Sequence, residues 1–291
     1  MRPRLQTWRT IALVAPGMLW VTILLILPLL AILAISFCST GTYGEIERPL
    51  TWENYARFIG FGLFGWEPLY PLIMARSLWL AAGSTFCCLA LGLPLAFFIA
   101  GLPQRWKTFA LTLVVIPLWT NLLIRTYAWQ ILLAPGGWLS DLGTLIGLAP
   151  DALYPGPFAV YVGMVCDYLP FLVLPLYASV EKIDWTLAEA ARDLGASRWS
   201  VFRHGLLPQI APGMIAGITL VFVPAAGQFV IPDLLGGAKT ILLGNVIQQQ
   251  FGPSRNWPFG SAVAAIAMML VLIALWLHAR TARRKDGTLL S

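Results

Sequence analysis

Six long apolar runs, separated by connections rich in charge, glycine or proline, restrict what this chain can become more than any other feature. They cover about 11–37, 72–100, 109–134, 157–180, 209–232 and 259–279. A helix crossing a hydrocarbon core of about 30 Å needs roughly 20 mostly apolar residues, and its backbone amides must find partners within the segment. Each run reaches that length. A barrel would show alternating segments of about ten residues instead. With 58% hydrophobic and 11% charged residues, the expected fold class is an all-α integral membrane protein of about six transmembrane helices, forming a single domain over 1–291. The first run follows Arg2, Arg4 and Arg9 as a signal peptide would, but it exceeds the roughly 7–15 apolar residues of a signal core and reads as a retained helix.

Basic residues are held on the cytoplasmic side during insertion. With both termini inside, 13 of the 19 Lys and Arg fall on the inner side: Arg2, Arg4, Arg9, Arg105, Lys107, Lys182, Arg192, Arg198, Arg203, Arg280, Arg283, Arg284 and Lys285. Arg48, Arg57, Arg76, Lys239 and Arg255 belong to outer segments, and Arg125 lies inside the third run. The net charge of +6 is thus a topology signal, and no nucleic-acid partner is implied. The basic tail at 279–285 reads as a stop at the lipid headgroups.

Cys38, Cys87, Cys88 and Cys166 fall in or beside apolar runs, without the spacing of a metal site or disulfide framework. The two histidines, His204 and His278, form no constellation for catalysis or metal binding. There is no G-x-x-x-x-G-K-[ST] loop, and the nearest string, GGAKT at 236–240, lacks the glycine before its lysine. The expectation is a chain that is not an enzyme and binds no cofactor or metal.

The inner connection at about 182–208 breaks the apolar pattern. Thr186 to Glu189 fits a capping box, so a helix is expected to start there. Leu187, Ala190, Ala191 and Leu194 would form one apolar stripe, with Glu189, Arg192 and Asp193 off it. Gly195 suits the left-handed residue that ends a helix, Ser197 can cap a second helix carrying Trp199, Phe202 and Leu206, and Pro208 fits the first turn of the next span. Such a two-helix knob has the form of a ligand for a groove on a partner. A cover for the membrane helices has the same pattern.

The string EAARDLGASRWSVFRHGLLP, 189–208, resembles the EAA motif of membrane subunits in binding-protein-dependent ABC importers. Glu189, Ala190, Ala191, Gly195, Leu207 and Pro208 match it in register, while Gly205 stands where the family usually has isoleucine. LTWENYARF, IPLWTNLLIRTYAW, YLPFLVLPLYASVEKID, APGMIAG and WPFGSAVA extend the likeness over most of the chain, toward permeases for spermidine and putrescine. The resemblance implies a type I importer permease fold in a bacterial inner membrane. It also implies three partners: a cytoplasmic ATPase dimer that hydrolyses ATP, a second homologous permease, and a periplasmic or lipid-anchored substrate-binding protein. In it, the loop at 189–208 is the coupling helix seated in a groove of the ATPase.

Two ionisable residues lie within the runs, where a charge costs several kcal/mol unless paired or hydrated. Arg125 and Asp167 enter from opposite sides to similar depths. They can pair and fix helix packing. Alternatively, Asp167 lines the path for a cationic substrate, with Tyr127, Trp129 and Tyr168 as cation–π surfaces. Gln228 and Asp233 can lie along the same route, but a helix-end or interhelical hydrogen-bonding role is the first expectation for both. Opines, phosphonates or other amines are rival cargoes. A secondary transporter is a rival class, for which the chain lacks the repeats often seen.

Overall fold

The computed structural model describes residues 3–41, 45–48, 50–62, 65–145, 147, 153–237 and 241–287, with side chains from residue 13 onward except 274 and 277–287. Lys239 and the end of the GGAKT string lie outside the described residues, as do the side chains of Arg2, Arg4, Arg9, His278 and the basic tail.

The chain divides into two compact units. The first comprises 1–70 and 247–269. In it α1 is Pro3–Ser36, and along Leu13–Ser36 it is apolar and almost wholly exposed, with Ser36 buried at its end. Two short hairpins, β1 (Ser39–Thr40) with β2 (Ile46–Glu47) and β3 (Phe61–Gly62) with β4 (Gly65–Trp66), flank α2, Glu53–Ile59. Asn54 fastens α2 to the end of α1 by donating to the carbonyls of Ser36 at 2.9 Å and Cys38 at 2.8 Å.

The second unit comprises 71–246 and 270–291. It contains most of α3 (Leu69–Ala100), then α4 (Gln104–Trp119), α5 (Leu122–Leu133), α6 (Trp138–Leu145) and α7 (Pro157–Val180). After these come α8 (Trp185–Asp193), a short α9 (Arg198–Ser200), a π-helical segment (Val201–Leu206), α10 (Leu207–Gly227) and α11 (Val230–Leu235). Two helices, α12 (Leu243–Phe251) and α13 (Trp257–Gly287), each contribute to both units.

The central helix of this unit is α7, with 56% of its span buried against 33% for α3. It packs chiefly on α10. Between helices whose alternative surroundings are equally apolar, small residues let backbones approach. A Cβ built at Gly213 would overlap the Pro175 carbonyl and the Ser179 side chain, and one at Gly217 would lie 3.1 Å from the Leu172 carbonyl oxygen. Met164, Leu172, Leu176, Ile210, Val221 and Ile231 fill the core around this seam.

Among the described residues, four helices are long and apolar enough to cross a membrane, or five if one bent pair is counted as a single span. The fourth run, 157–180, coincides with α7. Two others depart from the expected single spans. The third is broken at Thr120–Asn121, and the chain turns by 95° between 104–119 and 122–145. The fifth stops at Gly227 and restarts at Val230. The sixth lies on α13, whose apolar stretch with described side chains, Trp257–Ile273, falls short of a span by itself.

Candidate coupling loop and membrane path

The loop at 182–208 folds as a helix, a turn and a second helix. Its first helix begins two residues earlier than the expected capping box. Asp184 is the cap, accepting from Thr186 N at 3.0 Å, while the Thr186 hydroxyl donates back to Asp184 at 2.6 Å. The acidic side chain preceding Thr186 outcompetes its hydroxyl as acceptor, so the Thr186–Glu189 capping box does not form.

The helix ends as the glycine required. Gly195 has φ +85°, its amide donates to Arg192 O at 2.8 Å, and Ala196 N reaches back to Ala191 O at 3.0 Å. These two bonds form a Schellman closure, which satisfies carbonyls that the helix end would otherwise leave free. Ser197 then caps the second helix, accepting from Ser200 N at 3.3 Å, and Pro208 sits in the first turn of α10. Past Ser200 the second helix widens into the π-helical segment containing Phe202 and Leu206. Gly205 lies in it with room to spare, since a Cβ there would meet only Val201 Cγ1, at 4.0 Å.

Three of the four stripe residues of α8, Leu187, Ala190 and Leu194, lie on the exposed face, and the fourth, Ala191, turns toward the body. Ala188 is buried and Ala191 packs beside the core, whereas Leu187 is 57% exposed and Leu194 89% exposed. Trp185, Ala190 and Trp199 are exposed too, as are Glu189, Arg192 and Asp193. On α8 two small side chains meet the body and the large apolar ones face outward, while in the second half of the loop Val201 and Leu206 are buried and Phe202 packs against the core.

The root of the loop is fixed by polar contacts. Glu181 follows the last turn of α7, and its carboxylate accepts from the Tyr177 hydroxyl at 2.7 Å and pairs with Lys107 of α4 at 3.4 Å. The Tyr177 hydrogen bond, with Lys107 adding to it, holds this carboxyl below the usual glutamate range. Gln209 joins the two ends of the loop, accepting from Asp184 N at 3.1 Å and donating to Gly205 O at 3.0 Å. Neither group carries a motif that marks it in the sequence.

Within the apolar helices, Arg125 and Asp167 are paired. Asp167 is 7% exposed. The Arg125 guanidinium also donates to the Pro117 carbonyl, in the last turn of α4, where the break removes the usual helical partner. Asn121 caps α5 by accepting from Leu123 N at 2.8 Å. An arginine thus ties both sides of the α4–α5 break to α7.

The other residues proposed for the path divide. Tyr168 is buried, and its hydroxyl accepts from Gln228 Nε2 at 3.0 Å. Gln228 stands in the α10–α11 break, where its Oε1 accepts from Phe229 N at 3.0 Å and Val230 N at 3.3 Å. Trp129 lines a cavity of about 710 Å³ with Phe98, Pro117, Arg125, Cys166 and Pro170. Tyr127 is half exposed. Asp233 is exposed in the first turn of α11, where a carboxylate suits the helix dipole. Asp167 with Arg125 and Tyr168 with Gln228 therefore form two bonded pairs on consecutive residues of α7, and Tyr127 and Asp233 are not part of either.

The profile described as binding-protein-dependent transport system inner membrane component matches residues 92–286. The spermidine/putrescine transport system permease protein PotB of Escherichia coli strain K12 is 40% identical over 271 residues, covering 91% of this chain and 96% of that protein. PotB of Haemophilus influenzae is 40% identical over 263 residues, covering 90% of each. Among solved structures, a bacterial ABC transporter involved in import of the acidic polysaccharide alginate aligns with TM-score 0.70 at 18% identity, covering 96% of each chain. The MetNI methionine ABC transporter aligns with TM-score 0.54 at 20% identity, covering 75% of this chain and 98% of that one. Apolar helices, a motif-bearing loop between α7 and α10, and these alignments agree: the chain belongs to the binding-protein-dependent transport system inner membrane component family, as a multi-pass inner-membrane permease with the ABC importer fold.

Proposed function

We propose that this chain is the transmembrane subunit of an ATP-driven importer for polyamines of the spermidine and putrescine type. The observation that carries the cargo is the 40% identity, spread over nine-tenths of the chain, to permeases named for spermidine and putrescine. In this reading ATP is hydrolysed by a separate cytoplasmic ATPase dimer, a second homologous permease completes the membrane path, and a periplasmic or lipid-anchored binding protein delivers the substrate. The permease forms no covalent intermediate. Its work is a difference in stability between inward- and outward-open conformations, biased by nucleotide below and by the loaded binding protein above.

The loop at 182–208 is the handle. Leu187, Ala190 and Leu194 enter the ATPase groove, Glu189, Arg192 and Asp193 make polar contacts at its rim, and the closure at Gly195 keeps the two helices at a fixed angle. Their outward exposure supports this, since large apolar side chains left uncovered mark an interaction surface. Leu207 and Pro208 pass the motion into α10. Asp167 balances Arg125, so the path attracts a polycation without trapping it.

The experiment is reconstitution. Proteoliposomes holding this chain with its ATPase, second permease and binding protein are expected to accumulate labelled spermidine only when ATP is supplied on the ATPase side. Accumulation by this chain alone, driven by an ion gradient, would overturn the reading. Accumulation of an opine or phosphonate but no polyamine would overturn the cargo.

A further inference from the structure

The two helix breaks are about a hundred residues apart in sequence yet are tied to adjacent residues of one helix. Asp167 of α7 takes Arg125, which also holds the Pro117 carbonyl at the end of α4. Tyr168, the next residue, takes the amide of Gln228, whose other end caps α11 through Phe229 N and Val230 N. Beyond the breaks, α5 and α11 pack on each other and both pack on α7. A Cβ built at Gly163, one turn before Asp167, would lie 2.6 Å from Leu235 Cδ1, so α11 sits close against α7.

We infer that Arg125 and Gln228 are positioning residues of the transport cycle, which fasten both breaks to Asp167 and Tyr168 so that the two junctions change conformation together. The proposal rests on the import function above and extends it to how the membrane helices move as a set. Helix ends inside a membrane leave backbone groups that water cannot satisfy; the Pro117 carbonyl accepts from Thr120 as well as from Arg125, and of these only Arg125 links the junction to α7. Asp167 and Tyr168 are both buried, and solvent cannot substitute for either tie. The helix α7 runs without a break, through Pro170 and Pro175, from these residues toward Glu181 at the root of the loop, a distance of about 20 Å at 1.5 Å per residue. A displacement delivered at the loop thus reaches both ties through one continuous helix. The cavity of about 710 Å³ is lined by Pro117 on one limb of the α4–α5 bend and by Arg125 and Trp129 on the other, giving the bend room to change angle.

The test uses the assembled importer in nanodiscs and reads amide hydrogen exchange over 117–126 and 226–235. Tyr168→Phe removes one hydroxyl and cuts only the Gln228 tie. Exchange is expected to rise roughly fivefold over 226–235, the scale of one neutral hydrogen bond, and to stay near wild type over 117–126, whose own tie is intact; no rise over 226–235 overturns the proposal. Asn121→Ala loosens the α4–α5 junction with both ties in place, and exchange is expected to rise over 117–126 and also over 226–235, where no residue was changed; a rise confined to 117–126 overturns the proposal. With Tyr168→Phe and Asn121→Ala combined, the rise caused by losing Asn121 should stay within 117–126; spread to 226–235 there would assign the coupling to α5–α11 packing and overturn the role of the ties. Uptake by Tyr168→Phe should lose kcat several-fold with KM unmoved, and an effect on KM alone counts against it. The exchange measurement needs no cargo, so wild-type spermidine uptake, run in parallel, reports separately on the assignment of function.

Discussion

The carboxylate of Asp167 on α7 and the guanidinium of Arg125 on α5 form an ion pair within the apolar helices, and the same guanidinium holds the last turn of α4. Removing one partner of a buried pair leaves a charge without compensation, at about 3–5 kcal/mol, whereas neutralising both is often mild. Asp167→Asn and Arg125→Met should each lower the melting temperature of the purified permease, and the double variant should recover much of the loss. Additive losses in that cycle would remove the pair from the account.

Gly195 has nothing within 4 Å of a built Cβ, so the objection to a side chain there is conformational. A non-glycine residue at positive φ costs about 1–2 kcal/mol, least for asparagine. Gly195→Asp, which adds charge beside Asp193, is expected to insert normally and abolish uptake, while Gly195→Asn keeps a substantial part. Immunoblots of the membrane fraction beside uptake assays check both; full transport by Gly195→Asp would refute the coupling role.

Leu194 is exposed and touches little of the body. Leu194→Ser should therefore leave the melting temperature of the isolated chain within about 1 °C, as a surface change does, yet reduce co-purification of the ATPase. Loss of stability without loss of assembly would place Leu194 in packing.

At the α7–α10 seam, Gly213→Ala forces a methyl into the Pro175 carbonyl and Ser179. The expected cost is about 1–3 kcal/mol, the usual toll of overpacking. Gly227→Ala, with nothing within 4 Å, should be close to neutral. Thermal unfolding in detergent ranks the two.

Glu181 titrates below the ordinary glutamate range because Tyr177 donates to its carboxylate, with Lys107 contributing next. Its folded pKa is depressed, so its stabilisation is fully present above the unfolded value of about 4.3 and fades as pH falls through the folded value. The stability gap between wild type and Glu181→Gln should be open at neutral pH and close in that acid window. Lys107→Met should narrow the gap without abolishing it, since the tyrosine remains.

Much of this was legible in the sequence. The length of apolar runs gave α7 to the residue, and Gly195, Ser197 and Pro208 act as their positions required. The breaks were not legible, because hydropathy is blind to direction: a run reads the same straight or turned by 95°. The local signals were present, in Asn121 four residues after Pro117 and in Gln228 after Gly227, each a capping amide in mid-run. The α8 stripe was legible except at one residue. Periodicity groups Leu187, Ala190 and Leu194 on a face that is exposed, but it does not say which neighbours the body takes, and Ala191 turns with Ala188 toward the body.

That Asp167 and Tyr168 are consecutive has a consequence for how such a chain can vary. An α-helix turns by about 100° per residue, so a single residue gained or lost in α7 between Gly163 and Asp167 would swing both side chains away from their partners in one stroke. Substitutions can be absorbed one at a time, but a change of length in this stretch cannot, and its residue count is as much a part of the mechanism as its chemistry.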